Sequence, residues 1–448
     1  MISSTDLTYY IVSLGCAKNL VDSERINGSM KDAGYKPSDT SEDSDILIIN
    51  TCGFIKPAKE ESIAAIFDAL EKETASENKR FNASRGHDGE FGRKVVVVGC
   101  FTQRYASAVS SEIPEIDFVY GIPDSRFVER MSNRFHVAIR PSPAFSRKPL
   151  VPGLPYAYIK ISEGCSNNCS YCAIPLIRGP LRSYPRALVL DEAREAAASG
   201  VRELVVVAQD ITAYRWDATG LYDIVRDMSG IDGIEWIRLM YCHPDHIDDR
   251  ILDILTGVNK VVHYIDIPFQ HASRRLLRSM GREGDGNTYR DLLLRLRERV
   301  PDIRIRSTFM VGYPDETEED FKELIDFLKD ARLDRVGAFL YSPEDGTRAY
   351  AMGDTVPEGI KKERHDRLMA VQRDISAEKL RTMIGSVVRV LVEEQVDEAT
   401  WIGRTEYDAP EVDGIFYLTG MDLRANSMVS ARIRDALEYD LIGDAIAL

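Results

Sequence analysis

The sequence predicts an α/β chain in three parts: an N-terminal parallel-sheet α/β domain over residues 8–140, a central partial (βα)6 barrel over 151–381, and a small all-β barrel over 383–448. Three observations carry that expectation. Short, continuously apolar runs alternate with amphipathic stretches in the first third, as in a parallel sheet covered on both faces. The alternation restarts with a longer period after a Pro-rich stretch and repeats six times, as strand–helix units of a barrel do. After Met383 the helical patterns stop, and short strand-like runs with Gly and Asp turns replace them. At 448 residues the chain has room for two or three domains of roughly 150 residues each.

In the first part, Tyr9-Tyr10-Ile11-Val12-Ser13-Leu14, Ile46-Leu47-Ile48-Ile49 and Val95-Val96-Val97-Val98 read as buried strands. Residues 20–33 read as a helix closed by Gly34, which can take the left-handed turn at a helix end. Residues 59–71 form a second helix, because Ile63, Ile66, Phe67 and Leu70 share one face. Residues 74–93 are polar and glycine-bearing and predict a surface insertion; residues 141–155 predict a Pro-rich linker. The six barrel strands are expected to end at Glu163, Gln209, Tyr241, Phe269, Val311 and Tyr341. Between the last two lies the clearest helix, 316–331, with an acidic first turn and Phe321, Leu324, Ile325 and Leu328 along one face. A long charged helix, Glu358–Arg381, closes the barrel. Residues 387–392, 401–404, 415–418 and 428–433 are the expected strands of the last domain.

The formal net charge of −15 disfavours a nucleic-acid partner, since phosphate binding needs a basic footprint. No run approaches the ~18 apolar residues of a membrane span, and the N-terminus shows no basic region leading into an apolar one. A cytoplasmic enzyme is expected. In that compartment seven cysteines point to metal or catalysis rather than disulfides.

Cys165, Cys169 and Cys172 form a CxxxCxxC run on the loop after the first barrel strand. Three thiolates on a short loop can hold three irons of a 4Fe-4S cluster and leave the fourth open. Structural zinc and ferredoxin clusters normally take four protein ligands, and no fourth Cys or His lies nearby in sequence. Cys16, Cys52 and Cys100 each follow a predicted parallel strand, and parallel strands gather ligands at one sheet edge. They can converge on a second cluster; the competing explanation is three small buried residues. Cys242, beside His243, has no partner at metal-ligand spacing and reads as a packed thiol of the barrel rim.

The CxxxCxxC run, with Tyr171 before its third cysteine, resembles that of the radical S-adenosylmethionine enzymes. Both cysteine sets in this order resemble the methylthiotransferases over nearly the whole chain. In that family an auxiliary-cluster domain precedes the radical barrel, and a small barrel called TRAM ends the chain. Ser13-Leu14-Gly15-Cys16-Ala17-Lys18-Asn19-Leu20-Val21-Asp22-Ser23-Glu24 is similar to the branch that modifies small-subunit ribosomal protein twelve. So are Ile177-Arg178-Gly179-Pro180-Leu181-Arg182-Ser183, Ile267-Pro268-Phe269-Gln270-His271-Ala272-Ser273 and the run from Ile402 to Gly414. The interval between Cys52 and Cys100 is longer than the family suggests, through the insertion at 74–93.

The resemblance implies two 4Fe-4S clusters, on Cys16, Cys52 and Cys100 and on Cys165, Cys169 and Cys172, both facing one cavity. It implies that S-adenosylmethionine serves twice. One molecule methylates sulfur held at the auxiliary cluster; another yields the radical that takes hydrogen from the β-carbon of an aspartate. An electron donor and a sulfur source are implied partners. Tyr171 is a candidate to pack on adenine or simply to fill the rim. Gln209, Asp210 and Gln270, at strand ends, are candidates for the cofactor's polar groups. His271 is a candidate for catalysis or for a structural hydrogen bond. Arg178 and Arg182 are candidates to meet acidic groups, or to form surface ion pairs. From Met383 onward five basic residues face thirteen acidic ones, including Glu406, Asp408, Glu411 and Asp413 in one strand–turn region. Such a domain would repel tRNA and is expected to dock a basic protein. A tRNA methylthiotransferase and a non-enzymatic iron–sulfur carrier are the competing functions.

Overall fold

The structure is a computed structural model that describes residues 2–80, 91–140 and 146–446. It divides into two compact units, one of Met1–Pro152 with Ala173–Gly179, the other of Gly153–Cys172 with Pro180–Leu448.

The first unit is built on a five-stranded parallel sheet, in the order Lys36–Pro37, Thr8–Ser13, Ile46–Thr51, Lys94–Gly99, Phe118–Val119. The central strands are apolar throughout because both faces are covered. Ile46, Ile48, Val96 and Val98 pack into one core, and Leu47, Ile49, Val95 and Val97 into another. The two edge strands are each two residues long, too short for a sequence pattern to mark them.

The first helix spans Ala17–Asp32, starting three residues before the expected 20–33 because its first turn is polar and unmarked by periodicity. Gly34 sits at φ +102°, the left-handed conformation expected of it. The next helix spans Lys56–Arg80 rather than 59–71. Its extension is rich in Glu, Lys and Arg, which propagate a helix without an apolar face. The first seven residues of the expected insertion, 74–80, are therefore helical, and 81–90 lie outside the described residues. Of the expected linker, 141–145 lie outside them too. Residues 147–149 are strapped to the first helix: Arg147 pairs with Glu24 at 2.6 Å, and the Asn27 amide donates to the Lys148 and Pro149 carbonyls at 3.1 and 2.9 Å.

In the second unit six parallel strands follow in chain order: Tyr156–Lys160, Glu203–Val207, Trp236–Leu239, Val261–Asp266, Arg304–Val311 and Arg335–Leu340. The strands end zero to three residues before the expected positions, where the chain turns into the loops of the C-terminal edge. The expected helix 316–331 begins at Glu318, capped by Thr317 and Asp320. Glu316 lies before the cap and takes the Gly312 and Tyr313 amides instead.

The last domain is a closed five-stranded barrel of Val387–Gln395, Thr400–Thr405, Phe416–Thr419, Leu441–Ala445 and Met428–Ala436. Leu441–Ala445 was not expected as a strand, because Gly443 and Asp444 interrupt its apolar pattern. This domain is clamped onto the N-terminal end of the six-stranded sheet. Asp408 pairs with Arg335 at 2.5 Å; Asp413 accepts from Tyr264 at 2.6 Å and faces Arg306 at 3.4 Å. Glu411 accepts from Tyr156 and Tyr158 at 2.9 and 3.1 Å, and Arg404 reaches Glu203 at 2.7 Å. The acidic group expected to dock a partner is thus largely an internal fastening. Asp408 and Asp413 have side chains 5% and 1% exposed, too enclosed to steer anything in solvent.

Candidate functional site

Parallel register brings three cysteines to one edge of the first sheet. Ser13 lies opposite Asn50, Asn50 opposite Val98, and Thr51 opposite Gly99. The strands therefore end in line, and Cys16, Cys52 and Cys100 follow at their C-terminal ends. Cys16 caps one helix and Cys100 begins another, Cys100–Glu112. Cys52 and Cys100 are buried, while Cys16 is exposed. Gly15 makes the approach possible: it sits at φ +87°, and a Cβ there would lie 2.9 Å from the Cys52 sulfur.

Asn19 ties these loop ends together. Its Nδ2 donates to the Leu14 and Thr51 carbonyls at 3.0 and 2.9 Å, and its Oδ1 lies 3.4 Å from the Cys100 sulfur. Burial pushes the Cys100 thiol up to about 12 and raises Cys52 as well; negative charge on neighbouring cysteines of the set adds to both. At Cys16 desolvation is outweighed by Lys18, Arg178 and two backbone amides, which hold the thiol below its ordinary value. Cys52 thus senses Cys16, and Cys100 senses both. Among the described residues no three side chains converge on a single ion. A four-iron cluster instead gives each thiolate its own iron, so three thiols around a shared space match its needs.

In the barrel, Cys165, Cys169 and Cys172 are half-buried on the loop after the first strand. The loop is pinned at Ser170: its N–H donates to the Met280 carbonyl at 2.8 Å, and its carbonyl accepts from Ala349 N–H at 2.9 Å. The donor set is three thiols. Cys242 is fully enclosed in the barrel core, as a packed thiol would be. Three cysteines without a fourth suit a four-iron cluster with one open iron, and the loop stands at the C-terminal end of the sheet, where barrel sites lie.

Tyr171 is buried, and Arg282 donates to its hydroxyl at 3.0 Å and to the Pro268 carbonyl at 2.9 Å. Asp210 is buried and accepts from Asn167 at 2.8 Å, from His246 at 2.9 Å and from Thr212. Burial opposes ionisation there, but these hydrogen bonds prevail and hold the carboxyl at about 2. Asp210 thereby anchors the cysteine loop through Asn167. A cavity of about 460 Å³ reaches Thr212 and His246 from between helices Leu221–Ser229 and Asp249–Gly257, away from the cysteines. Gln209 is half-buried. Gln270 is half-buried at φ +72°, its backbone bridging Thr308 and Met310; Tyr241, at φ +66°, is likewise left-handed. Such conformations at strand ends are stored where a site needs a side chain re-aimed. His271 is fully enclosed; its Nδ1 accepts from Ser273 N–H at 2.9 Å, and burial lowers it to about 3, so it is neutral.

Arg182 is exposed. Arg178 is not a surface residue: its side chain is 1% exposed, paired with Asp22 at 2.9 Å and donating to Asn19 at 2.6 Å and to the Cys100 sulfur at 3.1 Å. It belongs to the first unit, with the other cysteine set. Asn19, Asp22, Asn167, His246 and Arg282 went unnoticed as site residues in the sequence. Asn19 and Asp22 stand in the Cys16 run, one helical turn apart, which is the signal that could have found them.

Residues 8–121 match the uncharacterized protein family UPF0004, residues 159–328 the radical SAM superfamily, and residues 384–446 the TRAM domain. The chain is 41% identical over 98% of its length to "Ribosomal protein uS12 methylthiotransferase RimO" of Anaeromyxobacter sp. (strain Fw109-5), covering 93% of that protein. It is 43% identical over 96% of its length to the protein of the same name from Desulforudis audaxviator, covering 95% of it.

The chain belongs to the RimO family. Solved structures show the same fold at low identity. The radical S-adenosylmethionine methyltransferase TsrM from Kitasatospora setae matches with a TM-score of 0.56 and 14% identity, over 82% of this chain and 89% of that one. The radical enzyme OxsB matches with a TM-score of 0.51 and 13% identity, over 80% and 56%. As a RimO-family chain it is a radical S-adenosylmethionine methylthiotransferase with iron–sulfur chemistry. No helix among its described residues is long and apolar enough to cross a membrane.

Proposed function

We propose that this chain methylthiolates the β-carbon of an aspartate in ribosomal protein uS12, in the cytoplasm. The observation that carries the reading is the pair of cysteine triplets, each of three thiols at strand C-terminal ends, in a chain of the RimO family. Cys165, Cys169 and Cys172 hold the cluster that binds S-adenosylmethionine; Cys16, Cys52 and Cys100 hold the auxiliary cluster. When bound, the first supplies reductive cleavage of the sulfonium and the second the site of sulfur transfer.

The chain's own residues position and enclose. Asp210 holds the cysteine loop through Asn167, and Arg282 fixes Tyr171 beside the third cysteine. Gln209 and Gln270 follow the second and fourth strands of the sheet, within the rim available to the cofactor's polar groups. An electron donor and a sulfur source complete the system, because the reaction consumes both.

The charge argument against tRNA weakens but keeps its sign. Asp408 and Asp413 are enclosed and Glu393 and Glu406 half-buried, yet nine of the thirteen C-terminal acids remain against exposed Arg389, Arg424, Arg432 and Arg434. Family membership therefore carries the choice of substrate more than charge does. Anaerobic incubation with S-adenosylmethionine, a reductant, sulfide and either uS12 or tRNA tests it by mass spectrometry. A methylthio group on an aspartate of uS12 is expected. Modified tRNA with unmodified uS12 would overturn the reading.

A further inference from the structure

Arg178 is a buried cation placed against a cysteine, and the folding of the unit does not account for it. Its guanidinium is split between two jobs. Nη1 pairs with Asp22 at 2.9 Å, with the two side chains 1% and 4% exposed. Nη2 donates to Asn19 Oδ1 at 2.6 Å and to the Cys100 sulfur at 3.1 Å. A buried ion pair is poor stabilising material, since apolar residues of similar volume usually do as well or better. Helix Ile174–Arg178 already docks through Ala173 and Ile177, which pack with Cys100 in an apolar cluster. The charge is additional to that packing.

The guanidinium is fixed in place on both sides, by Asp22 and by Asn19. Asn19 holds the guanidinium in register with the loop ends, because the same side chain donates to the Leu14 and Thr51 carbonyls. A cluster held by three thiolates is anionic, and more so once reduced. A fixed cation hydrogen-bonded to one of its sulfurs therefore favours the reduced state, and net charge and hydrogen bonds to sulfur are among the factors that set cluster potentials.

We propose that Arg178 is a positioning residue of the auxiliary cluster: its guanidinium, held by Asp22 and Asn19 against Cys100, sets the reduction potential of the group bound by Cys16, Cys52 and Cys100. This rests on the auxiliary-cluster reading above. Arg178 lies six residues after Cys172 in sequence. One short segment thus supplies the last thiol of one set and the charge that governs the other.

The test uses the full chain carrying C165A, C169A and C172A, so that one cluster remains, reconstituted anaerobically and titrated by electron paramagnetic resonance. Bound iron reports on the auxiliary site itself: a background without iron would overturn the cluster reading, whatever Arg178 does. With iron bound, R178Q is expected to lower the potential, shifting the oxidised-to-reduced ratio at fixed potential about tenfold toward oxidised, or ~59 mV for one electron. R178K keeps the charge and should stay within about threefold of the parent. D22N removes the opposing anion without changing shape and should shift the ratio the other way. A merely structural role predicts no such opposite signs. Equal potentials in the parent, R178Q and D22N at full iron content would overturn the proposal. If R178Q fails to take up iron, D22N and R178K decide it by the same criterion.

Discussion

At the scale of single residues, enclosure decides ionisation. His271 has no exposed surface, and its Nδ1 is committed to the Ser273 amide. Burial holds it at about 3, against roughly 6.5 in an unfolded chain. Below pH 6.5 the unfolded chain takes up a proton that the folded chain refuses. The stability this group permits is therefore complete above pH 6.5 and falls as pH drops toward 3, by up to ~1.4 kcal/mol per pH unit. An H271N variant, whose amide oxygen can still accept from Ser273, should flatten the fall between pH 6.5 and 4.5 by about 2 kcal/mol. Thermal midpoints of the apo-protein at the two pH values measure it; equal slopes in parent and variant would refute the assignment. The same enclosure explains why His271 is a poor candidate for proton transfer near neutrality.

At the scale of elements, the C-terminal barrel and the radical barrel are joined by buried charge. Arg335 and Asp408 have side chains 8% and 5% exposed, and Asp408 also accepts from Thr405 at 2.7 Å. Removing one partner strands the other, so D408N should cost ~3–5 kcal/mol in urea unfolding. The joint replacement R335M with D408L should recover most of that loss, because an apolar pair needs no compensation. Raising the salt concentration should change the parent's midpoint little, as enclosed pairs are weakly screened. A large salt effect, or an additive double variant, would mean that the pair is solvated. The fastening lies at the N-terminal end of the barrel strands. The C-terminal end, where the cysteine loop stands, is thereby left to the chemistry.

At the scale of the whole molecule, the proposed function gives each cysteine set its own cluster, and the two should be separable. Reconstituted protein should bind about eight irons, and alanine at all three positions of either set should leave about four. Loss of all iron, or of none, from either triple variant would contradict independent sites. The variant lacking Cys16, Cys52 and Cys100 should still cleave S-adenosylmethionine to deoxyadenosine while transferring no methylthio group. Only the barrel loop combines three thiols with the C-terminal end of a barrel sheet. Absence of deoxyadenosine from that variant, if it is folded, would count against this division.

The order of domains, the central strands and both cysteine sets were legible in the sequence, because local patterns express them. Continuous apolar runs mark strands covered on both faces, and a cysteine just past such a run must leave at the sheet's C-terminal edge. Helix ends at Ala17 and Arg80, the edge strands and Leu441–Ala445 escaped, since polar helix turns, two-residue strands and a Gly-Asp interruption leave no periodicity. Charge was the quantity the sequence could count but not place. Asp408 and Asp413 add to an acidic total in the same way as Glu394 and Asp397, yet the first two are enclosed against Arg335 and Arg306 and the last two face solvent. Likewise nothing local distinguishes Arg178 from the exposed Arg182 four residues later. Their difference arises from residues far away in the chain, Asn19, Asp22 and Cys100, which only folding brings to one guanidinium. The cost of leaving a buried charge unpaired makes that arrangement specific, and it is settled by tertiary contacts alone.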